Sequence, residues 1–137
     1  MLAAESKVAR PDSNGPPNEN PNCSWKQITG HVEPFLQAVN QRLIRQAHEF
    51  DPQVVPYAQH ALNGSGKHLR PTLVALAANS IGKISDAHVT AAVIIEMVHL
   101  ATLVHDDVMD EAEIRRGKLT LAANWGNEIA VLFGDCL

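Results

Sequence analysis

From His88 to Val104 the chain runs through an apolar stretch in which Glu96 is the single carboxylate. It then places Asp106, Asp107, Asp110, Glu111 and Glu113 within eight residues. An apolar run of that length must be covered, and carboxylates that dense need either solvent or a bound cation. Both demands fall on one segment. The run is shorter than a comfortable membrane span and also carries His88 and His99, each costly in hydrocarbon, so a buried helix suits it better than a bilayer helix.

The flanking sequence repeats the helical period. Ile28, Val32, Phe35, Leu36, Val39, Leu43, Ala47 and Phe50 trace one stripe, with Gly30 and Pro34 pointing to a late start or a kink. A second helix is expected after Pro52, ending near Asn63-Gly64. A third starts around Leu69 to Pro71 and reaches Ile81-Gly82. Ser85 and Asp86 are the expected caps of the central helix, which passes Ile94, Ile95, Val98 and Leu103 and ends near Asp110. Arg115-Arg116-Gly117 reads as a loop, and Ile129 to Leu137 forms a last apolar segment that stops without a capping signal. No period-two strand pattern stands out, so the expected fold class is all-α. Residues 1–24 hold four prolines and few large apolar groups, and they read as a disordered leader dispensable for chemistry.

With 137 residues, 45% of them hydrophobic, the chain is long enough for one domain and is no disulfide-stapled miniprotein. Eleven Lys and Arg against fifteen Asp and Glu give a net charge of −4, which argues against a nucleic-acid partner. Without the five clustered carboxylates the balance would be eleven against ten, so the negative excess is local. Cys23 and Cys136 form no Cys-x-x-Cys pair, and the N-terminal residues show no apolar signal region. Both features point to a reducing, cytoplasmic setting.

On a helix, Asp106 and Asp110 project about 40° apart and Asp107 falls within the same arc of roughly 100°, so one cation can reach all three. A hard cation such as Mg²⁺ takes oxygen ligands and keeps waters that a substrate phosphate can replace. The alternative is a solvated acidic helix end. His99 stands two turns before Asp106 on nearly the same face, either as a satisfied core histidine or as part of a polar site. Arg115 and Arg116 either neutralise Glu111 and Glu113 or grip a phosphate. Gly66-Lys67-His68 is no Walker loop, because Ala61 stands where a glycine is required and His68 where Ser or Thr is. Lys67 and Arg70 nonetheless flank a helix start. They form either an anion site or an ordinary Gly-rich turn with two solvated cations.

The order and spacing of Gly66-Lys67-His68-Leu69-Arg70-Pro71, Glu96-Met97-Val98-His99-Leu100, His105-Asp106-Asp107-Val108-Met109-Asp110, Arg115-Arg116-Gly117 and Gly134-Asp135 carry a family likeness. From about Val32 to Leu137 the chain resembles the trans-type isoprenyl diphosphate synthases, the polyprenyl synthetases. Ser65 departs from the pattern, since a second glycine is common there. The resemblance implies an antiparallel helical bundle of the isoprenoid synthase type. Residues 25–137 then form its N-terminal half, stopping before a second Asp-rich motif and inactive or only weakly metal-binding on their own.

The implied reaction joins an allylic diphosphate to isopentenyl diphosphate, with Mg²⁺ as cofactor. Asp106, Asp107 and Asp110 correspond to the first Asp-rich motif, with Asp106 and Asp110 as direct metal ligands. Arg115 matches the group that holds the allylic diphosphate, and Lys67, Arg70, His99 and Arg116 match the isopentenyl diphosphate pocket. By the same likeness Asp106, Asp107, Asp110, Lys67 and Arg115 are the catalytic set. No aromatic lies between His88 and His105, so the pocket face of Val98, Ala101 and Thr102 is open and a medium- or long-chain product is expected. The other reading of that face is plain packing against a neighbouring helix. A homodimer working beside membranes is implied. A non-catalytic partner subunit of a heteromeric synthase is the alternative, and a terpene cyclase is disfavoured by Lys67, Arg70 and His99 occurring together.

Overall fold

A computed structural model of the chain describes residues 25–63 and 66–137; the expected leader over 1–24 lies outside the described residues, as do Gly64 and Ser65. Seven helices and one short hairpin are formed there: α1 Trp25–Gly30, α2 Glu33–Glu49, α3 Val55–Leu62, α4 Leu69–Ile81, α5 Asp86–Met109, β1 Ile114–Arg115, β2 Lys118–Leu119, α6 Leu121–Trp125 and α7 Asn127–Cys136. The all-α class holds.

Local chemistry sets the boundaries. The expected break near Gly30 and Pro34 separates α1 from α2, and Pro34 sits in the first turn of α2, where its missing N–H costs no helical bond. Val32, Phe35, Val39, Leu43 and Ala47 are all buried, at the spacing of three and four that one helix face requires. Ser85 caps α5 as expected. His88, at the third helical position, accepts the Ser85 N–H on Nδ1 at 3.0 Å, the place a Glu or Gln takes in the usual capping box. Arg42 of α2 reaches across to Asp86 at 2.7 Å and to Thr90 Oγ1 at 2.9 Å, tying α2 to the start of α5.

The core falls into two clusters strung along α5. One joins Val32, Phe35, Val39 and Leu43 of the α2 region to Ala75, Val89, Ala92, Val93 and Met97. The other joins Ala47 and Ala58 to Val104, Leu121, Ala130 and Phe133, at the end of α5 that carries the aspartates. α5 spans 24 residues, as its expected caps and end near Asp110 imply, and by length and mean hydropathy alone it is long enough to cross a membrane. It packs instead against α2, α3, α4, α6 and α7, and its last turn buries an aspartate paired with an arginine, as the central helix of a helical domain does.

One expectation is corrected in part. Arg115-Arg116-Gly117, read as a loop, lies within an antiparallel hairpin that pairs Ile114 with Leu119 and Arg115 with Lys118, so that Arg115 is strand and only Arg116 and Gly117 are turn. Arg116 (φ 53°) and Gly117 (φ 76°) make its two-residue turn, and the positive φ at both positions marks the turn type that matches the twist of paired strands.

Candidate active site

The last turn of α5 carries the acidic cluster. Asp107 is 7% exposed, and Arg115 Nε donates to its Oδ1 at 2.5 Å. Glu111 turns the chain with φ 52°, and the Ala112 N–H returns to the Asp107 carbonyl at 2.9 Å, so the hairpin folds back over the helix end that sent it out. Asp106 is half-buried and Asp110 exposed, and among the described residues neither pairs with a cation. The structure thus brings Asp107 to Arg115 and does not bring the three carboxylates together. Among the described residues no three Asp, Glu, His or Cys side chains converge on one point.

The basic elements meet at the hairpin. Arg115 and Arg116 are neighbours, but Arg115 ends β1 and Arg116, at positive φ, opens the turn, and the two side chains part: Arg115 goes to Asp107, while the Arg116 guanidinium lies across Gly66. A Cβ at position 66 would stand 3.0 Å from Arg116 Nη1, so a side chain there would shift the guanidinium. His68 (φ 46°) turns that loop into α4, and Lys67 and Arg70 stand exposed on either side of the helix start. His99 is half-buried on α5. Its pKa is held below 6.5, first by burial and then by the nearby charge of Arg70, with smaller contributions from Arg116 and Arg115 against an opposing one from Glu96. Burial first, and the arginines after it, disfavour the imidazolium. Arg115 is already paired with Asp107, whereas Arg70 and Arg116 carry no carboxylate partner among the described residues, and such free cations suit an anion.

Of the pocket residues, Ala101 is half-buried, Thr102 is exposed with its hydroxyl donating to the His99 carbonyl at 2.7 Å, and Val98 is 59% exposed. That face of α5 is open among the described residues. Behind the arginines a cavity of about 110 Å³ is walled by His60, Leu100, Asp107, Arg115 and Arg116 among others.

Several contributors carried no assigned role in the sequence. A side chain at Gly134 would overlap the imidazole of His105, whose Nε2 lies 3.3 Å from the Val131 carbonyl and 3.5 Å from Asp135. The glycine lets α7 close onto α5 one residue before Asp106. A small residue inside an apolar helix was the available signal. His60 and Lys118, which hold the hairpin, gave none.

Asp106 and Asp110 offer two hard oxygen donors on one helix face, open to solvent, at the end of α5 where the helix dipole is negative. That donor set fits a divalent ion such as Mg²⁺, which accepts two carboxylates and fills its remaining positions with water and phosphate.

Residues 51–137 match the sequence model of the family described as polyprenyl synthetase. The chain is 39% identical over 112 residues to the octaprenyl diphosphate synthase of Haemophilus influenzae, a match covering 82% of this chain and 34% of that protein. In solved structures it is similar to a decaprenyl diphosphate synthase from Rhodobacter capsulatus, with TM-score 0.74, 36% identity, and 82% and 35% of the two chains covered. It is equally similar to a polyprenyl synthase from Caulobacter crescentus complexed with calcium and isoprenyl diphosphate, with TM-score 0.74, 36% identity, and 82% and 34% covered. The chain spans about a third of the length of these relatives.

Proposed function

Since the chain belongs to the polyprenyl synthetase family, we propose that it carries the first half-site of a prenyl diphosphate synthase that condenses isopentenyl diphosphate with an allylic diphosphate. The observation that supports this reading is that Arg70 and Arg116, from segments far apart in the chain, both lie near enough to His99 to disfavour its charged form, while Asp106 stands two turns further along the same helix. Cationic and anionic groups on one helix are what a site for both a metal and a diphosphate requires.

Asp106 and Asp110 hold Mg²⁺, and Asp107 orients Arg115. When bound, Mg²⁺ supplies positive charge to the diphosphate that leaves as the allylic C–O bond breaks. Arg115, braced by Asp107, faces that leaving group. Lys67, Arg70, His99 and Arg116 hold the diphosphate of isopentenyl diphosphate, placing its double bond where the allylic carbon becomes cationic. The apolar face of α5 around Val98 and Ala101 keeps water from that carbon and receives the growing chain. Open as it is, it suits a medium- or long-chain product, in keeping with the octaprenyl and decaprenyl synthases that the chain resembles. A cytoplasmic homodimer working near membranes completes the proposal, because the product partitions into lipid. The 137 residues by themselves are expected to bind diphosphate without turnover.

Product analysis tests this with a full-length synthase carrying the sequence, labelled isopentenyl diphosphate, an allylic diphosphate and Mg²⁺. A ladder of prenyl alcohols after dephosphorylation, lost in Asp106→Ala and Asp110→Ala, is expected. A cyclic hydrocarbon made without isopentenyl diphosphate would overturn the reading. So would a folded full-length enzyme that makes no product.

A further inference from the structure

Two neighbouring arginines can serve two different anions only if the short hairpin that bears them is held still. The hairpin has two residues per strand and a turn with positive φ at Arg116, so its own pairing is too slight to fix it. From the other side of the cleft two tethers add to the Arg115–Asp107 pair and to the Thr120 hydroxyl, which donates to the Ala112 carbonyl at 2.7 Å. His60 on α3 meets the Leu119 carbonyl at 2.8 Å through Nε2, which must carry the proton to do so, and Lys118 Nζ donates to the Asn63 carbonyl at 2.8 Å. His60 is itself fixed. Its ring stands edge-on to Trp125, with centroids 4.9 Å apart, and Trp125 in turn meets Tyr57 at 5.3 Å. Tyr57 and His60 lie three positions apart on α3, so one face of that helix clasps Trp125 between two rings.

We propose that His60 is a positioning residue for the anion site. Its one hydrogen bond to β2 ties the hairpin to α3 and, beside the Arg115–Asp107 pair, sets where the turn carries the Arg116 guanidinium. It touches no diphosphate. The inference rests on the reading of Arg115 and Arg116 as diphosphate-binding groups proposed above. It adds a residue that lies outside the basic and acidic motifs and a route by which packing far from the chemistry controls it.

Two substitutions separate the ring from its N–H. His60→Phe keeps the edge contact with Trp125 and loses the donor, whereas His60→Gln keeps a donor of similar reach and loses the ring. On the full chain, titration with inorganic diphosphate should show binding weakened about tenfold or more in the Phe variant, as for other groups that orient a ligand-binding side chain. The Gln variant should stay within about threefold of the starting chain, a difference under about 1 kcal/mol. Hydrogen exchange over residues 114–120 should quicken in the Phe variant and stay slow in the Gln variant. Lys118→Met, which removes the other tether from an exposed position, should quicken the same amides. A Phe variant with unchanged diphosphate affinity, or with an unchanged hairpin exchange rate, overturns the assignment. A starting chain that binds no diphosphate overturns the anion-site reading itself, and the exchange rates still report whether His60 anchors the hairpin.

Discussion

His99 shows how a single side chain reports on its neighbours. Its imidazole is disfavoured as a cation by burial and by Arg70, Arg116 and Arg115, so its folded pKa lies below the unfolded value of 6.5. A histidine depressed in this way takes its proton in the unfolded chain first. The stability it contributes is present above pH 6.5 and is lost as the pH falls from there toward the folded pKa. A diphosphate placed among the same arginines reverses the balance, because its negative charge favours the imidazolium. A proton NMR titration of the His99 ring should therefore give a midpoint below about 6.5 in the free chain and a higher one with inorganic diphosphate added. A free-chain midpoint at or above that value would mean that the arginines do not crowd the ring. From spacing alone His99 was a polar residue on the aspartate face of an apolar helix, open to a core reading, and only the family likeness grouped it with Lys67, Arg70 and Arg116. Its neighbours Arg70 and Arg116 come from segments far apart in the chain, and periodicity says nothing of how such segments meet.

The longer helices were legible because they carry a periodic signal and a punctuating residue: Pro34 at the start of α2, Ser85 ahead of α5, Gly82 after α4; five-residue α6 has no such run and was not read. The hairpin was not. Two residues per strand give no alternation to read, and its turn is Arg-Gly in place of the Asn-Gly or Asp-Gly that announces such a connection. Its presence changes what the Arg115-Arg116 pair does, since one arginine ends a strand and the other opens the turn, and the two guanidiniums go to different partners. Arg115 neutralises the buried Asp107, whereas Arg116 lies against a glycine and faces the open site. Arg115→Ala should therefore cost about 1–3 kcal/mol of stability, by leaving a buried carboxylate without its donor. Arg116→Ala should change stability by no more than about 0.5 kcal/mol, as surface substitutions do. Urea denaturation of the two variants measures the difference. Equal costs would show that the Asp107 pair does not brace the helix end.

At the scale of the whole molecule, the described core is lopsided. α5 is surrounded by five helices, yet it leaves Ile94, Ile95 and Val98 exposed at 56%, 41% and 59%. α4 does the same along one face, where Leu69, Leu73 and Leu76 recur at spacings of four and three and are exposed at 52%, 57% and 39%. Isolated exposed apolar residues are ordinary, but stripes of large ones on two adjoining helices are surface that water disfavours and that association removes. Each large side chain so covered gains about 1.5–3 kcal/mol if fully buried. Several together offset much of the entropy lost when two molecules join. The chain should therefore associate as its concentration rises, seen as a growing sedimentation coefficient and as binding of an apolar dye that reports exposed hydrophobic surface. Replacing Leu73 and Ile94 together by lysine places a charge in each stripe without touching a buried residue. The double variant should remain monomeric across the same concentrations with its helical signal unchanged. If the unmodified chain stays monomeric and dye-free, these faces must be covered in solution by some part of the same molecule.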